Sequence, residues 1–153
     1  MEIYLIRHAI AVAAAMDIDD AARPLTDEGR RRFARVAEQL SHAGVVFDRI
    51  YHSPKLRAVQ TADLLRPLLA GEFEVTPLLA EQPDIELLHT LCGERIALVG
   101  HEPWLSELCA YLILGECRGE MFVFKKGGVA HLEGLPSPGG MRLLALLPPR
   151  LLR

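Results

Sequence analysis

The chain has 153 residues, of which 50% are hydrophobic and 24% are charged, and its formal net charge is −3. This length predicts one domain, residues 1–153, that is too small to carry a separate cap domain over its binding site. The balance of apolar and charged residues is typical of a globular protein. The small negative charge argues against a nucleic-acid partner, so any positive potential must be local.

The cysteines and the apolar runs indicate the cellular setting. Cys92, Cys109 and Cys117 form an odd set without a CxxC pair, so we expect small buried residues in a reducing compartment, with neither a disulfide framework nor a zinc site. Met1 and Glu2 supply no basic leader, and no stretch approaches the roughly 20 apolar residues that span a bilayer. We therefore expect a cytoplasmic protein with no membrane partner.

Apolar runs alternate with helical patterns along the chain, which is typical of a parallel sheet covered on both faces. The predicted strands are residues 3–6, 47–52, 73–75, 96–99 and 141–147, with a hairpin formed by 121–124 and 129–132. The predicted helices are residues 27–42, a helix that begins at Ser53-Pro54 and bends or ends near Pro67, a short helix within 81–91, and 104–114. We therefore predict a three-layer α/β/α fold with a mostly parallel central sheet.

Two helix starts carry capping patterns. Thr26 precedes Asp27 and Glu28, so we expect its hydroxyl to cap the first helix, whose acidic first turn suits the helix dipole. Ser53 precedes Pro54, a pair that predicts an N-cap followed by proline at the first helical position.

Polar side chains follow three of the predicted strands. Arg7 and His8 follow the first strand, Ser53 follows the second with Arg57 one turn later, and His101 follows residues 96–99. In open α/β sheets ligands bind outside the carboxyl ends of the strands. The sequence therefore predicts that these groups form one site.

Arg57 indicates what this site binds. A cation in the first turn of a helix faces the positive end of the helix dipole, at a cost of about 0.3 to 1 kcal/mol when it is exposed. A bound anion would make the same placement favourable. The alternative is a solvated surface arginine.

His8 has two structural alternatives, a buried core histidine and a metal ligand. A metal is disfavoured because no Asp, Glu or Cys accompanies His8 in its motif and Arg7 adds a fixed positive charge. A core histidine leaves the neighbouring Arg7 unexplained. A nucleophile for a phosphoryl group accounts for both residues, since a neutral imidazole is nucleophilic and nearby arginines hold it neutral.

The other groups complete this hypothesis. Arg7 and Arg57 can each offer a planar guanidinium to the nonbridging phosphoryl oxygens, and His101 can donate a further hydrogen bond. With protein cations in that role, we expect no metal and no cofactor.

The motifs also resemble a known family. They are Leu5-Ile6-Arg7-His8-Ala9, Arg23-Pro24-Leu25-Thr26 with Gly29, Ser53-Pro54 with Arg57 and Gln60-Thr61-Ala62, and Val99-Gly100-His101-Glu102-Pro103. This pattern spans nearly the whole chain and resembles the histidine phosphatase superfamily, with its phosphoglycerate mutase-like fold. Its order and spacing are similar to those of the bacterial phosphohistidine phosphatases of SixA type.

The resemblance implies a two-step reaction through a transiently phosphorylated His8. It implies that Arg7, Arg57 and His101 bind the phosphoryl group and that Arg23 lies at the edge of the pocket. An Arg23 that only pairs with a neighbouring carboxylate is an equal alternative. Ala9 departs from the glycine usual at that position.

Glu81 bears on the substrate. Relatives that cleave phosphate esters use a carboxylate as general acid, and Glu81 is the candidate by its order along the chain; it is equally an acidic residue near a helix start. Phosphohistidine needs such an acid less, because its imidazole can leave already protonated.

We therefore expect a phosphatase that acts on phosphohistidine of a partner protein. A small-molecule phosphomonoesterase and a non-catalytic phosphate-binding module are the alternatives, and the oligomeric state stays open.

Overall fold

The computed structural model describes residues 1–152 and contains a six-stranded sheet flanked by helices. The strands are β1 Glu2–Arg7, β2 Phe47–His52, β3 Leu69–Val75, β4 Arg95–Gly100, β5 Val129–Gly134 and β6 Met141–Leu147. The helices are α1 Asp27–His42, α2 Leu56–Leu64, α3 Ile85–Thr90 and α4 Trp104–Leu114, with short 3-10 turns between them.

The sheet has the strand order β3-β2-β4-β1-β5-β6. β1, β2, β3 and β4 are paired in parallel, and β5 is antiparallel to both of its neighbours, so one strand of six runs against the others. The predicted α/β class with a mostly parallel sheet is confirmed. The register pairs Arg7 with Gly100 and His52 with Val99, so three neighbouring strands end at the same edge.

Each face of the sheet is covered by two helices. On one face α1 and α2 pack on side chains such as Ile6, Ile50 and Val99. On the other face α3 and α4 pack on Leu5 and Leu98. Successive residues of β1 point to opposite faces, as strand geometry requires, so its buried apolar run serves both cores. This arrangement gives the three predicted layers.

The start of α1 agrees with its capping pattern, and the start of α2 does not. The Thr26 hydroxyl accepts a hydrogen bond from the Gly29 N–H at 2.9 Å. The predicted cap at Ser53 is wrong: α2 begins at Leu56, after Lys55. The Ser53 hydroxyl instead accepts the Lys55 N–H at 3.1 Å and contacts His101, which holds the turn in front of the helix.

The break near Pro67 agrees with the expectation, and one further boundary differs from it. α2 ends at Leu64, and Pro67 lies in the separate 3-10 turn Arg66–Leu68, because proline lacks the N–H that would continue a helix. β3 begins at Leu69 and is longer than the predicted 73–75.

The predicted hairpin of residues 121–124 and 129–132 is also wrong. β5 pairs with β6, and residues 121–124 form an irregular segment. Phe124 of that segment is buried in the core, and its carbonyl accepts a hydrogen bond from Arg7 Nη1 at 2.8 Å. An apolar run can therefore be buried without joining the sheet when its backbone finds another partner.

Burial of the cysteines is only partly as expected. Cys109 is buried, Cys117 is half-buried and Cys92 is exposed. Cys92 follows α3 at the surface, so composition alone misplaced it. Across residues 1–152, no helix combines the length and the apolar character needed to cross a bilayer.

Candidate active site

Three neighbouring strands bring His8, Ser53 and His101 together at the carboxyl edge of the sheet. The His8 N–H donates to the Gly100 carbonyl and the Ser53 N–H donates to the Val99 carbonyl, both at 3.1 Å. The rings of His8 and His101 are buried, with their centroids 5.2 Å apart. The histidines that the sequence placed on separate motifs are therefore neighbours.

His8 has the protonation that a nucleophile requires. Its Nδ1 lies 2.7 Å from the Ala9 carbonyl oxygen, and because a carbonyl can only accept, Nδ1 carries the proton. Nε2 then keeps its lone pair. Burial, reinforced by the positive charges of Arg57, Arg7 and Lys126, lowers the pKa of His8 to about 4 against the opposing effect of the Ala9 hydrogen bond. His8 is therefore neutral near pH 7.

His101 is held by the loop that follows β2. Its Nε2 lies 2.7 Å from the Ser53 hydroxyl, which also accepts the Lys55 N–H. Burial, together with His8 and the nearby cations, lowers the pKa of His101 to about 3. Its Nδ1 is buried and has no hydrogen-bond partner within residues 1–152.

The two arginines are buried or half-buried beside these rings, and each has an unpaired nitrogen. Arg57 is 5% exposed, and both of its terminal nitrogens contact Asp20, at 2.8 Å to the carbonyl and 3.3 Å to the carboxylate. Arg7 donates through Nη1 to Phe124. Four buried side-chain polar atoms lack a partner in residues 1–152, and three of them lie here: Arg7 Nε, Arg57 Nε and His101 Nδ1. We call Arg7, His8, Arg57 and His101 the anion pocket.

This composition suits an anionic ligand. An unpaired buried donor costs about 1 to 3 kcal/mol, and a bound oxyanion would supply the missing acceptors. Over residues 1–152, no group of three His, Cys, Asp or Glu side chains is arranged to hold a metal ion. The positive charges that lower the pKa of His8 come from the side chains of Arg57, Arg7 and Lys126.

Asp20 is a residue that the sequence reasoning missed. Its carboxylate contacts Arg23 Nη2 at 2.9 Å, Lys55 Nζ at 3.2 Å and Arg57 Nη2 at 3.3 Å. The hydrogen bond from Lys55, followed by the interactions with Arg23 and Arg57, holds the pKa of Asp20 well below its usual range. An acid three residues before a cation was the available signal, since this spacing places the two on one helical turn.

The position of Arg23 is compatible with both of its interpretations, a residue at the edge of the pocket and a structural arginine paired with a carboxylate. It pairs with Asp20, as a structural arginine would, and also donates from Nη1 to the Val12 carbonyl at 2.9 Å. Through Asp20 it shares a carboxylate with Arg57. Arg23 is therefore connected to the anion pocket at its edge.

Glu81 lies near the pocket without joining it. It is exposed and follows the 3-10 turn Pro77–Ala80. That turn packs on the end of β4, since a Cβ placed on Gly100 would lie 3.2 Å from the Leu79 carbonyl oxygen. In the described part of the chain Glu81 forms no hydrogen bond or ion pair, with His8 and His101 or with any other group. Its role as general acid stays a prediction.

Comparison with known proteins identifies the family. Residues 3–83 match the model of the histidine phosphatase superfamily (branch 1). The phosphohistidine phosphatase SixA of Escherichia coli is 32% identical over 129 residues, which cover 78% of this chain and 76% of that protein. An uncharacterized protein of Picosynechococcus sp. is 34% identical over 141 residues, which cover 87% of this chain and 85% of that protein.

Solved structures agree with the sequence relatives. The tungstate complex of the protein histidine phosphatase SixA has a TM-score of 0.83 and 26% identity, with all of both chains covered. The alpha-ribazole phosphatase of Shigella flexneri shares the fold, with a TM-score of 0.73 and 20% identity over 95% of this chain and 96% of that chain. The chain therefore belongs to the histidine phosphatase superfamily and is SixA-like in sequence and fold.

Proposed function

We propose that this protein is a phosphohistidine phosphatase that removes the phosphoryl group from a histidine carried by another protein. The observation that carries the proposal is the neutral His8, whose Nδ1–H is held by the Ala9 carbonyl so that Nε2 keeps its lone pair beside Arg7 and Arg57. A neutral nucleophile set among cations is suited to a phosphoryl group.

In the first step His8 Nε2 attacks phosphorus while the P–N bond of the substrate breaks. The leaving imidazole takes the bonding electron pair, and because its other ring nitrogen is already protonated it departs as a neutral ring. The Nε donors of Arg7 and Arg57 and the Nδ1 of His101 have no hydrogen-bond partner in residues 1–152, and in this proposal they hold the phosphoryl oxygens as the charge on those oxygens is redistributed.

In the second step water attacks the phosphorus of phospho-His8. The Nε2–P bond breaks, its electron pair returns to His8, and inorganic phosphate leaves with the atoms of the water. The hydrogen bond from Nδ1 to Ala9 persists in both steps, so the ring keeps one tautomer and one orientation. Because the protein supplies the positive charge, the proposal requires no metal.

The choice of a P–N substrate rests on Glu81. An alkoxide leaving group needs a proton donor, which contributes about 10²- to 10⁴-fold, and the candidate carboxylate, Glu81, is exposed and makes no side-chain hydrogen bond or ion pair within residues 1–152 that would fix it. A phosphohistidine leaving group does not depend on that donor. The similarity to SixA of Escherichia coli supports the same substrate class.

A small-molecule phosphomonoesterase is the second candidate. The observation that favours it is the position of Glu81, whose preceding turn packs on β4 next to His101, within the same edge of the sheet. A phosphate-binding module without turnover is less well supported, because it gives no use to the free Nε2 of His8.

The test compares three substrates in the presence of EDTA: a phosphohistidine peptide, an aryl phosphate and an alkyl phosphate. We expect the wild type to prefer the phosphohistidine peptide by at least about 100-fold in kcat/KM over the alkyl ester, and His8→Ala to lose turnover of all three. Glu81→Gln is expected to leave the phosphohistidine rate within about 2-fold.

Other outcomes decide against the proposal. Equal or better turnover of the alkyl ester, with a large loss in Glu81→Gln, assigns the protein to the phosphomonoesterases. Binding of the phosphorylated peptide without turnover assigns it to the binding modules. Turnover that EDTA abolishes contradicts the metal-independent mechanism.

A further inference from the structure

A second concave region lies beside the anion pocket and shares Arg7 with it. It is a cleft of about 470 Å³ between the first turns of α1, the loop of Lys125 to Gly127 and the segment of Pro148 to Arg150. Within residues 1–152 its lining contains five cations, Arg7, Arg32, Lys125, Lys126 and Arg150, and no acidic residue. We call it the basic cleft; its volume is within the range of ligand-binding sites.

The basic cleft is fixed to the strand end that carries His8. The Gly127 N–H donates to the carbonyls of Arg7 and His8, at 3.1 and 3.0 Å, and the Arg7 N–H donates to Gly128 at 3.1 Å. Gly127 has a φ of 79°, which a side chain would strain, so this loop turns tightly against β1. Lys126 is close enough to lower the pKa of His8. A ligand in the cleft is therefore beside the nucleophile.

The floor of the basic cleft is apolar. Phe33 of α1 and the Pro149 ring converge on Gly127, since a Cβ placed there would lie 3.4 and 3.6 Å from them. Gly29 allows the first turn of α1 to touch the segment after β1, because a Cβ on it would lie 2.2 Å from the Ile10 carbonyl oxygen. The occupant must therefore combine apolar surface with negative charge.

Most of the cations at the rim are not neutralised by the protein itself. Lys125, Lys126 and Arg150 form no ion pair within residues 1–152, and only Arg32 is paired, with Glu28 at 2.6 Å. The chain as a whole is negative, with a net charge of −3. This local excess of positive charge would attract an acidic partner and orient it before contact.

We infer that the basic cleft docks an acidic segment of the phosphorylated partner protein, with an apolar side chain of that segment on Phe33 and Pro149. The inference rests on the proposed function and adds a substrate preference to it: acidic and apolar residues near the phosphohistidine raise kcat/KM. A peptide fits better than a nucleic acid, because the floor is apolar and the overall charge of the protein is negative.

The test uses substrates and variants that separate docking from chemistry. Two phosphohistidine peptides of equal length carry either Glu and Leu or Gln and Ser around the phosphohistidine, and phosphoramidate serves as a substrate with no flanks. Lys125→Glu reverses a charge in the basic cleft, and Arg142→Glu makes the same change in β6, whose first residues lie at the opposite edge of the sheet. Lys126 is left unchanged because it acts on His8.

We expect the wild type to prefer the acidic peptide by about 10-fold in kcat/KM at low salt, with the preference falling as salt is added. Lys125→Glu should lose about 5- to 10-fold on the acidic peptide and less than 2-fold on phosphoramidate, while Arg142→Glu changes neither. Equal rates on the two peptides, or an equal loss on phosphoramidate, would overturn the inference.

A binding measurement separates this inference from the proposed function. The acidic peptide without its phosphoryl group is titrated against the wild type and Lys125→Glu, and a loss of about 5-fold in affinity supports docking even if the phosphohistidine bond is not cleaved. No measurable binding by the wild type, or tighter binding of a single-stranded oligonucleotide than of the peptide, overturns the inference.

Discussion

The two edges of the sheet use the same residue types in opposite ways. At the amino edge, Glu2 of β1 accepts a hydrogen bond from Arg95 Nε at 2.7 Å and lies 2.8 Å from His131 Nε2. At the carboxyl edge of the same strand, Arg7 and His8 form no ion pair with a carboxylate in residues 1–152. The first edge satisfies its cations within the protein, and the second leaves donors unpaired.

The two edges also differ in what their polar groups contribute to stability. The partly exposed ion pairs at the amino edge contribute little, about 0 to 1 kcal/mol each. Unpaired buried donors at the carboxyl edge cost about 1 to 3 kcal/mol each, a cost that a bound anion would offset under the proposed function. An arginine near a histidine therefore indicates a binding site only where the structure shows that the arginine lacks a partner within the protein.

The largest expected effect comes from changing one arginine at each edge. Arg57→Lys keeps the charge and removes the planar guanidinium, so we expect kcat/KM to fall about 10²- to 10³-fold. Arg95→Lys makes the same change at the amino edge and should alter kcat/KM less than 2-fold. Steady-state kinetics on one phosphohistidine peptide measures both variants. Similar losses of kcat/KM in the two would contradict the proposal that only the carboxyl edge takes part in the reaction.

The pH dependence of stability is the next effect. Because the pKa of His8 falls from 6.5 to about 4 on folding, the unfolded chain binds more protons between these values, and the free energy of unfolding decreases as the pH drops through that window. His8 alone should contribute about 2 kcal/mol of this loss by pH 4.5. Urea unfolding from pH 7 to 4.5 should show a shallower dependence in His8→Ala than in the wild type; parallel curves would contradict the assignment.

Ser53→Ala tests how His101 is positioned. Its hydroxyl is the only hydrogen-bond partner of His101 Nε2 in residues 1–152, so its removal should free the ring to rotate. We expect kcat to fall about 10-fold with KM nearly unchanged, since the loss concerns orientation during the reaction. Ser53→Thr retains the hydroxyl and should recover activity; failure of that rescue would indicate a packing role for Ser53.

Asp20→Asn is expected to have the smallest effect and to increase ligand binding. The Asp20 carboxylate occupies Arg57 Nη2 and Arg23, and its negative charge competes with a phosphoryl group for the same cations. We expect inorganic phosphate, measured as a competitive inhibitor, to bind about 3- to 5-fold more tightly in Asp20→Asn. Weaker binding would mean that Asp20 mainly orients Arg57.

The sequence predicted the layers and the four residues of the anion pocket for one reason. Apolar runs such as residues 96–99 end in polar groups, and parallel strands bring their carboxyl ends to one edge. Local sequence patterns were less reliable where a residue forms a hydrogen bond with a group distant in sequence. Ser53 was predicted as a helix cap, but its hydroxyl contacts His101. Residues 121–124 were predicted as a strand, but Phe124 binds Arg7 through its carbonyl.

By itself the sequence determined the α/β fold and predicted that His8 and its arginines lie at one strand edge, because hydrophobic periodicity and strand-end residues are local properties of the chain. Only the tertiary structure decided the tautomer of His8, the carboxylate that Arg57 and Arg23 share, and the basic cleft beside Arg7. Each of these depends on groups far apart in sequence or on a backbone carbonyl, whose position follows from packing and not from residue type.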